Sequence, residues 1–232
     1  MVRQVLEQEV YEVLSEECTF CAQFILNSRE NYWAQYGQRY DQRTDLIAQS
    51  IHCLVVAGIG ALAEGYVLIL PKRHHLSIAG LTGDEMNDFL RVKGIVRRAM
   101  GALYGNIVTF EHGASSCARA GACIDHAHLH LFPSKADFRP FLETAEFKVR
   151  LIDHIAELQE YTQTEMGYLY YEDASEQKAV YIPHSPIPSQ YFRRIWAQLV
   201  GRPYEWDWGL FVFEDNVAHT IDKMRACLPA EL

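Results

Sequence analysis

Residues 125–133 read Asp-His-Ala-His-Leu-His-Leu-Phe-Pro, which sets His126, His128 and His130 at alternate positions with apolar residues between them. Alternation is the side-chain period of an extended strand, where residues i, i+2 and i+4 face one side at steps of about 6.6 Å. On that geometry three imidazoles face a cleft, and Ala127, Leu129 and Leu131 face a core. Neutral imidazole can ligate a metal, attack an electrophile or hydrogen-bond an anion. The segment therefore admits a catalytic metal site, because imidazoles at i and i+2 can share an ion. It also admits a division of labour in which each ring has its own task. A merely polar strand face accounts poorly for strict alternation beside the small-residue loop GASSCARAGAC at 113–123.

A second chemical signal is Cys18-Thr19-Phe20-Cys21, a CxxC pair. A redox pair of this kind belongs at a strand-to-helix turn within a βαβ unit, which the surrounding sequence does not resemble. A zinc site would need two further ligands. Leu68-Ile69-Leu70-Pro71-Lys72-Arg73-His74 supplies a strand-like run that ends in a proline and then a histidine.

The triplet followed by two apolar residues resembles the signature of the histidine triad superfamily, nucleotidyl hydrolases and transferases that cleave a nucleoside monophosphate from a leaving group. The Leu68–His74 run is similar to the Pro-Lys-x-His element of the same superfamily, and together the motifs cover about residues 15–135. The resemblance implies that His128 is the nucleophile, forming a covalent nucleotidyl-histidine, and that His130 donates to phosphate. It supplies no acid for the leaving group. Superfamily members with an N-terminal CxxC, including the galactose-1-phosphate uridylyltransferases, use it with two histidines. Carried over here, the set is Cys18, Cys21, His74 and His126, with His75 competing with His74, and it implies a structural zinc with no open coordination position. One triad histidine would then be a ligand, one a nucleophile and one a phosphate donor.

Several positions depart from the superfamily pattern. Gly65-Tyr66 stands where many members carry Gly-His, and Val55-Val56-Ala57-Gly58 holds no acid for ribose. Glu111-His112 replaces a polar residue near the strand end, and one of the two is expected to reach the cleft. Ala122 and Cys123 replace the usual glutamine and serine before the triad. Glu111, Ser115, Ser116 and Arg119 are the candidate substrate contacts, the last three as hydroxyl and guanidinium partners for phosphate.

These residues need elements to hold them. Residues 51–57 and 66–70 read as paired strands separated by glycines. Residues 82–104 read as an amphipathic helix with Phe89, Val92, Val96, Ala99 and Leu103 on one stripe, and 106–112 as a further strand. Residues 141–164 look helical, with Leu151, Ile155 and Leu158 aligned. Residues 168–172 and 178–183 read as a hairpin, and 189–201 and 214–227 as helices. Without regular βαβ alternation the class is α+β: a histidine-triad-like antiparallel sheet with flanking helices and a C-terminal α/β extension. Residues 1–140 are expected to form the catalytic domain, and 141–232 an extension packed on it or lidding it. Within that extension Gln190, Arg193 and Arg194 are either reaching an anionic substrate or solvated around a satellite aromatic core.

The chain has 232 residues, 49% of them hydrophobic, with a formal charge of -9. This composition supports a sizeable core and argues against binding polymeric nucleic acid, which needs a broad basic surface. Six cysteines are too few and too unevenly placed for a disulfide framework. No run is long and apolar enough to span a membrane, so a soluble, cytoplasmic protein with a small-molecule nucleotide ligand is expected. Superfamily members often dimerise, which makes a homodimer an expectation too. Three rivals stand beside a hydrolase: a transferase of the same chemistry, a hydrolase using a triad-bound catalytic metal, and a non-catalytic nucleotide-binding protein.

Overall fold

The computed structural model describes residues 18–26, 31–36, 44–115 and 120–232. Its strands are β1 (Leu46–Gln49), β2 (Cys53–Ala57), β3 (Val67–Pro71), β4 (Ile107–Gly113), β5 (Leu129–Pro133), β6 (Phe147–Ile152), β7 (Tyr168–Glu172) and β8 (Lys178–Pro183). The helices are α1 (Thr19–Phe24), α2 (Tyr32–Tyr36), α3 (Gly83–Tyr104), α4 (Arg139–Leu142), α5 (Tyr191–Leu199) and α6 (Glu214–Cys227). Among the described residues the strands form one antiparallel sheet in the order β1-β2-β3-β5-β4-β7-β8-β6. This is the α+β arrangement the element order implies.

The central strands are apolar runs and not alternating ones, because both faces are covered. Every residue of β2, β3 and β4 is buried, as a strand packed on two sides requires. β5 lies between β3 and β4, where His130 stands opposite Leu68 on one side and Phe110 on the other. That register puts the last triad histidine in the middle of the sheet.

One face of the sheet is closed by α3. Its buried stripe is Met86, Phe89, Val92, Lys93, Val96 and Met100, the three-to-four spacing of an amphipathic helix. Leu103, expected on that stripe, is among the exposed residues, and Met100 ends it instead. Lys93 is tolerated there because its Nζ lies 2.6 Å from the buried Glu172 carboxylate of β7, which also accepts a hydrogen bond from the Tyr170 hydroxyl.

The expectation of a helix over 141–164 is corrected. Only Arg139–Leu142 is helical; Phe147–Ile152 forms β6 and pairs along its length with β8, and Ile155–Tyr161 is a 3-10 turn. Leu151, expected on a buried stripe, is 63% exposed on this edge strand, whereas Ile155 and Leu158 are buried. Pairing with β8 satisfies every second backbone group of a short β-prone run (FKVRLI), and that outweighs a weak helical periodicity. The hairpin over 168–172 and 178–183 is β7 and β8.

The boundary expected at residue 140 falls inside one sheet, since β4 pairs with β7 across it. The end of the chain returns to the early strands. Trp196 of α5 is fully buried, its ring 4.1 Å from Phe132 and 5.2 Å from Tyr66, and the hydroxyl of Thr220 on α6 accepts from the Gly65 N–H at 2.8 Å. Trp196→Ala is expected to lower stability by about 3–5 kcal/mol in a denaturant titration followed by far-UV signal. Because Trp196 packs on strand residues of the first 140, that loss is expected to appear as a shift of one transition, with no separate early unfolding of residues 141–232.

Candidate active site and metal centre

Cys18, Cys21, His74 and His126 bring one ligand atom each to within 4.8 Å of one another. Cys18 precedes α1 and Cys21 sits one turn into it, so a single short helix presents both sulfurs on one side. Cys18 Sγ is 3.4 Å and Cys21 Sγ 3.5 Å from His126 Nδ1, and Cys21 Sγ is 3.5 Å from His74 Nδ1. A thiolate at about 2.3 Å and an imidazole nitrogen at about 2.0 Å from a tetrahedral ion stand about 3.5 Å apart. The spacing therefore fits a Cys₂His₂ ion site.

The tautomer fits as well. His126 Nε2 lies 2.8 Å from the Pro71 carbonyl, an acceptor only, so Nε2 carries the proton and Nδ1 offers its lone pair to the thiols. The contact with Cys21, and then those with His126 and His74, draw the Cys18 thiol far below the ordinary thiol range, while the same contact drives Cys21 up. His75 is turned away: its Nε2 faces the Glu85 carboxylate at 3.2 Å. Of the two competing histidines, His74 is the one at the thiols.

The paired strand begins only at Leu129, so His126 and His128 lie on the approach to it. His128 Nδ1 lies 2.6 Å from the carbonyl oxygen of His126. It must donate to that oxygen, which leaves Nε2 as a lone pair. Burial is the main reason the His128 imidazole is held down to about 4, so the ring is neutral over the ordinary pH range. Phe20 of α1 packs edge-on against both His126 and His128, at 5.8 and 5.6 Å. The helix that carries the thiols thus also walls the central histidine.

His130 lies 4.6 Å from His128, ring to ring. Its Nδ1 is 2.6 Å from the Tyr66 hydroxyl, and its Nε2 is buried without a hydrogen-bond partner. Tyr66, the residue in place of the superfamily's histidine, also stacks on it, the planes 12° apart. Burial pushes His130 well below the ordinary histidine value.

A cavity opens in front of these rings, lined by His128, His130, His112, Tyr66, Asp45 and Arg193 among others. Of the pair Glu111-His112, the histidine reaches it. Its Nε2 accepts from the Phe192 N–H at 3.2 Å, at the start of α5, and burial holds its imidazole at about 3. Glu111 faces the other side of β4, where its carboxylate accepts from the Ile78 N–H and the Tyr168 hydroxyl at 2.7 Å each. Adjacent strand residues point to opposite faces, so one of the two had to turn away, and Glu111 as a substrate contact is corrected to a buried structural group. Ser115 does not line the cavity, and Ser116 and Arg119 lie outside the described residues.

Two polar cavity residues, Asp45 and Gln23, escaped the sequence reading. Asp45 precedes β1, accepts from the Gln23 amide at 2.6 Å, and is raised by burial to about 7. Trp208 donates from Nε1 toward Cys123 Sγ at 3.3 Å. Neither Asp45 nor Gln23 sits in a motif, and only the tertiary fold brings them to the triad; Trp208 belongs to the aromatic C-terminal stretch at 205–209. Arg193, one of the three residues of the C-terminal third proposed to reach an anion, is buried at the cavity wall with Gln190. Arg194 instead stacks on Trp206, its Cζ 3.4 Å from the ring centre.

Compared with known families, residues 39–137 match the model of the HIT domain. That segment holds His74 and all three triad histidines, and ends before α5. No curated protein matches the chain. Among solved structures it is similar to a Hit-like protein involved in cell-cycle regulation from Bartonella henselae, at 13% identity over 46% of this chain and 81% of that one, with a TM-score of 0.36. It is similar to a hypothetical histidine triad nucleotide-binding protein from Sulfolobus tokodaii at 16% identity, over 42% of this chain and 65% of that one, TM-score 0.36. A DUF4931 family protein from Bacillus cereus is covered over 99% of its length by 77% of this chain, at 14% identity and a TM-score of 0.40. No helix among the described residues is long and apolar enough to cross a membrane.

Two outcomes are expected from this geometry. Elemental analysis of the purified protein should find about one metal equivalent per chain, and Cys21→Ser should lose most of it with a fall in melting temperature; full retention would place the ion elsewhere. Glu111 holds its proton more tightly folded, at about 7 against 4.5, so it lowers stability as pH rises through that window. Glu111→Gln cannot ionise. Denaturant titrations at pH 5 and pH 8 should therefore show the variant gaining on the parent by about 2.5 kcal/mol between the two.

Proposed function

We propose that this chain, whose residues 39–137 match the HIT domain, hydrolyses nucleoside monophosphate conjugates through a covalent nucleotidyl-histidine on His128. The observation that carries this reading is the hydrogen bond from His128 Nδ1 to the His126 carbonyl. It fixes the tautomer and aims an unprotonated Nε2 away from the backbone. A neutral, desolvated imidazole is a competent nucleophile toward phosphorus.

His128 Nε2 forms the N–P bond at the α-phosphorus while the P–O or P–N bond to the leaving group breaks, and water then cleaves the adduct. His130 sits one ring away with a buried Nε2 that has no partner. With the Tyr66 hydroxyl donating to Nδ1, that Nε2 carries hydrogen and serves the non-bridging phosphoryl oxygens, where charge builds in the transition state. Asp45, positioned by Gln23, is the carboxyl group available to ribose in place of the acid missing from 55–58.

Cys18, Cys21, His74 and His126 fit zinc as a closed structural site. When bound, the ion supplies cross-linking and no open coordination position; the proton and phosphoryl transfers belong to the side chains above. The free thiols suit a reducing compartment, so we place the protein in the cytoplasm. The intended ligand is a small nucleotide conjugate.

The test is direct. Mixing the protein with a dinucleoside polyphosphate and quenching within one turnover should give a mass increase of one nucleotidyl group on the peptide containing His128. His128→Ala should abolish both adduct and turnover while keeping its far-UV spectrum. Turnover without any adduct, or persisting in His128→Ala, would remove this mechanism. An adduct that forms but resolves only when phosphate or a sugar phosphate is added would make the protein a transferase.

A further inference from the structure

Arg193 is the charge in the cavity that the chemistry above leaves unused. It comes from α5, outside the HIT segment, and is 2% exposed. Two of its nitrogens are fixed by the backbone: Nε donates to the Trp206 carbonyl at 2.9 Å and Nη2 to the Gly60 carbonyl at 2.8 Å. Tyr66 lies beneath, its ring centre 5.8 Å from Cζ. Gly60 permits the approach, since it adopts φ +78° and a Cβ there would fall 2.8 Å from Nη2. The guanidinium is therefore held in one place.

What it lacks is a counter-ion. Carbonyls and an aromatic face carry no formal charge, and among the described residues no carboxylate pairs with it; Nη1 is buried with no hydrogen-bond partner. An uncompensated buried cation is costly and is kept where something anionic arrives to meet it. The cavity wall holds a second buried atom without a partner, His130 Nε2.

The order of side chains along the wall says which anion. His128 is followed by His130 at 4.6 Å, His130 is bonded to Tyr66, and Arg193 lies over Tyr66. Along this wall Arg193 is separated from His128 by His130 and Tyr66, which leaves room between the two for more than one phosphate.

We propose that Arg193 is the receptor for an anionic leaving group, so that the substrate bond is a phosphoanhydride and a second phosphate lies against Nη1. This rests on the nucleotidyl-histidine reading of the same cavity. In the step, His128 Nε2 forms a bond to the α-phosphorus, the bond from phosphorus to the bridging oxygen breaks, and the departing phosphate keeps the electron pair. Arg193 neutralises the charge it carries away. Selection is for a phosphate as leaving group over an amine or an alcohol.

The probe is inorganic pyrophosphate, titrated calorimetrically into the full-length protein. The parent should bind it saturably, and Arg193→Gln should weaken binding by about 10- to 100-fold, the range for losing a charge-assisted hydrogen bond. In turnover, the ratio of kcat/KM for a dinucleoside polyphosphate to that for a nucleoside phosphoramidate should fall by a similar factor. Because Arg193→Gln removes two ties between α5 and its surroundings, Arg193→Lys serves where the first variant does not fold. It keeps the charge but not the fork, and an intermediate loss is expected. A parent that binds no pyrophosphate, a variant that binds it equally well, or equal losses on both substrates would each overturn the proposal. A parent that binds pyrophosphate through Arg193 yet turns over nothing would leave the receptor standing and remove the hydrolase reading.

Discussion

His126 is the residue on which the site depends, because two constraints meet in it. Its ring is held between the Pro71 carbonyl and the two sulfurs, and its own carbonyl accepts the hydrogen bond that sets the His128 tautomer. If the ring moved, the carbonyl would move with it, and the orientation of the neighbouring imidazole would no longer be defined. The cluster of Cys18, Cys21, His74 and His126 is thus coupled to the candidate nucleophile through a single peptide unit. This is the kind of support that fixes reactive groups to within a fraction of an ångström.

The C-terminal residues contribute to the same end from the opposite wall. β7 continues the sheet from β4, and α5 lies over Phe110, Phe132 and Tyr66. The start of α5 is tied to β4 by the bond from the Phe192 N–H to His112. His112 cannot become charged without losing that bond, which together with burial explains its neutrality. The extension is therefore built into the cavity, and two of its side chains, Gln190 and Arg193, face the triad.

Much of this was legible in the sequence, and the limits have physical causes. The triad, the Pro-Lys-x-His run and the CxxC are local patterns whose chemistry constrains residue type, so the grouping of Cys18, Cys21, His74 and His126 could be written down from spacing and resemblance. β2, β3, α3 and the β7–β8 hairpin are long, consistent apolar patterns. β6 is not legible in the sequence because an amphipathic edge strand and a short helix share the same residue types, and only pairing with β8 decides between them. Asp45 and Gln23 are invisible for another reason: their place at the cavity comes from long-range packing that no local pattern encodes. Glu111 shows a third cause, since two adjacent strand residues cannot share a face and nothing local says which turns inward.

The electrostatics of the cavity bear on the leaving group. Burial keeps His112, His128 and His130 neutral, and among the residues lining the cavity Asp45 alone carries a carboxyl group, with its Oδ1 already accepting from Gln23. The neutral histidines around His128 therefore offer little to protonate a departing amine or alkoxide, which needs a proton in order to leave; Asp45, raised by burial to about 7, is the one acid among the lining residues. A phosphate is a weak base and leaves as an anion, requiring positive charge instead of a proton. Arg193 supplies the one, and the neutral histidines do not supply the other. The same desolvation that leaves the candidate nucleophile His128 unprotonated also removes the protonated histidines that a basic leaving group would need, so one property of the site bears on both attack and departure.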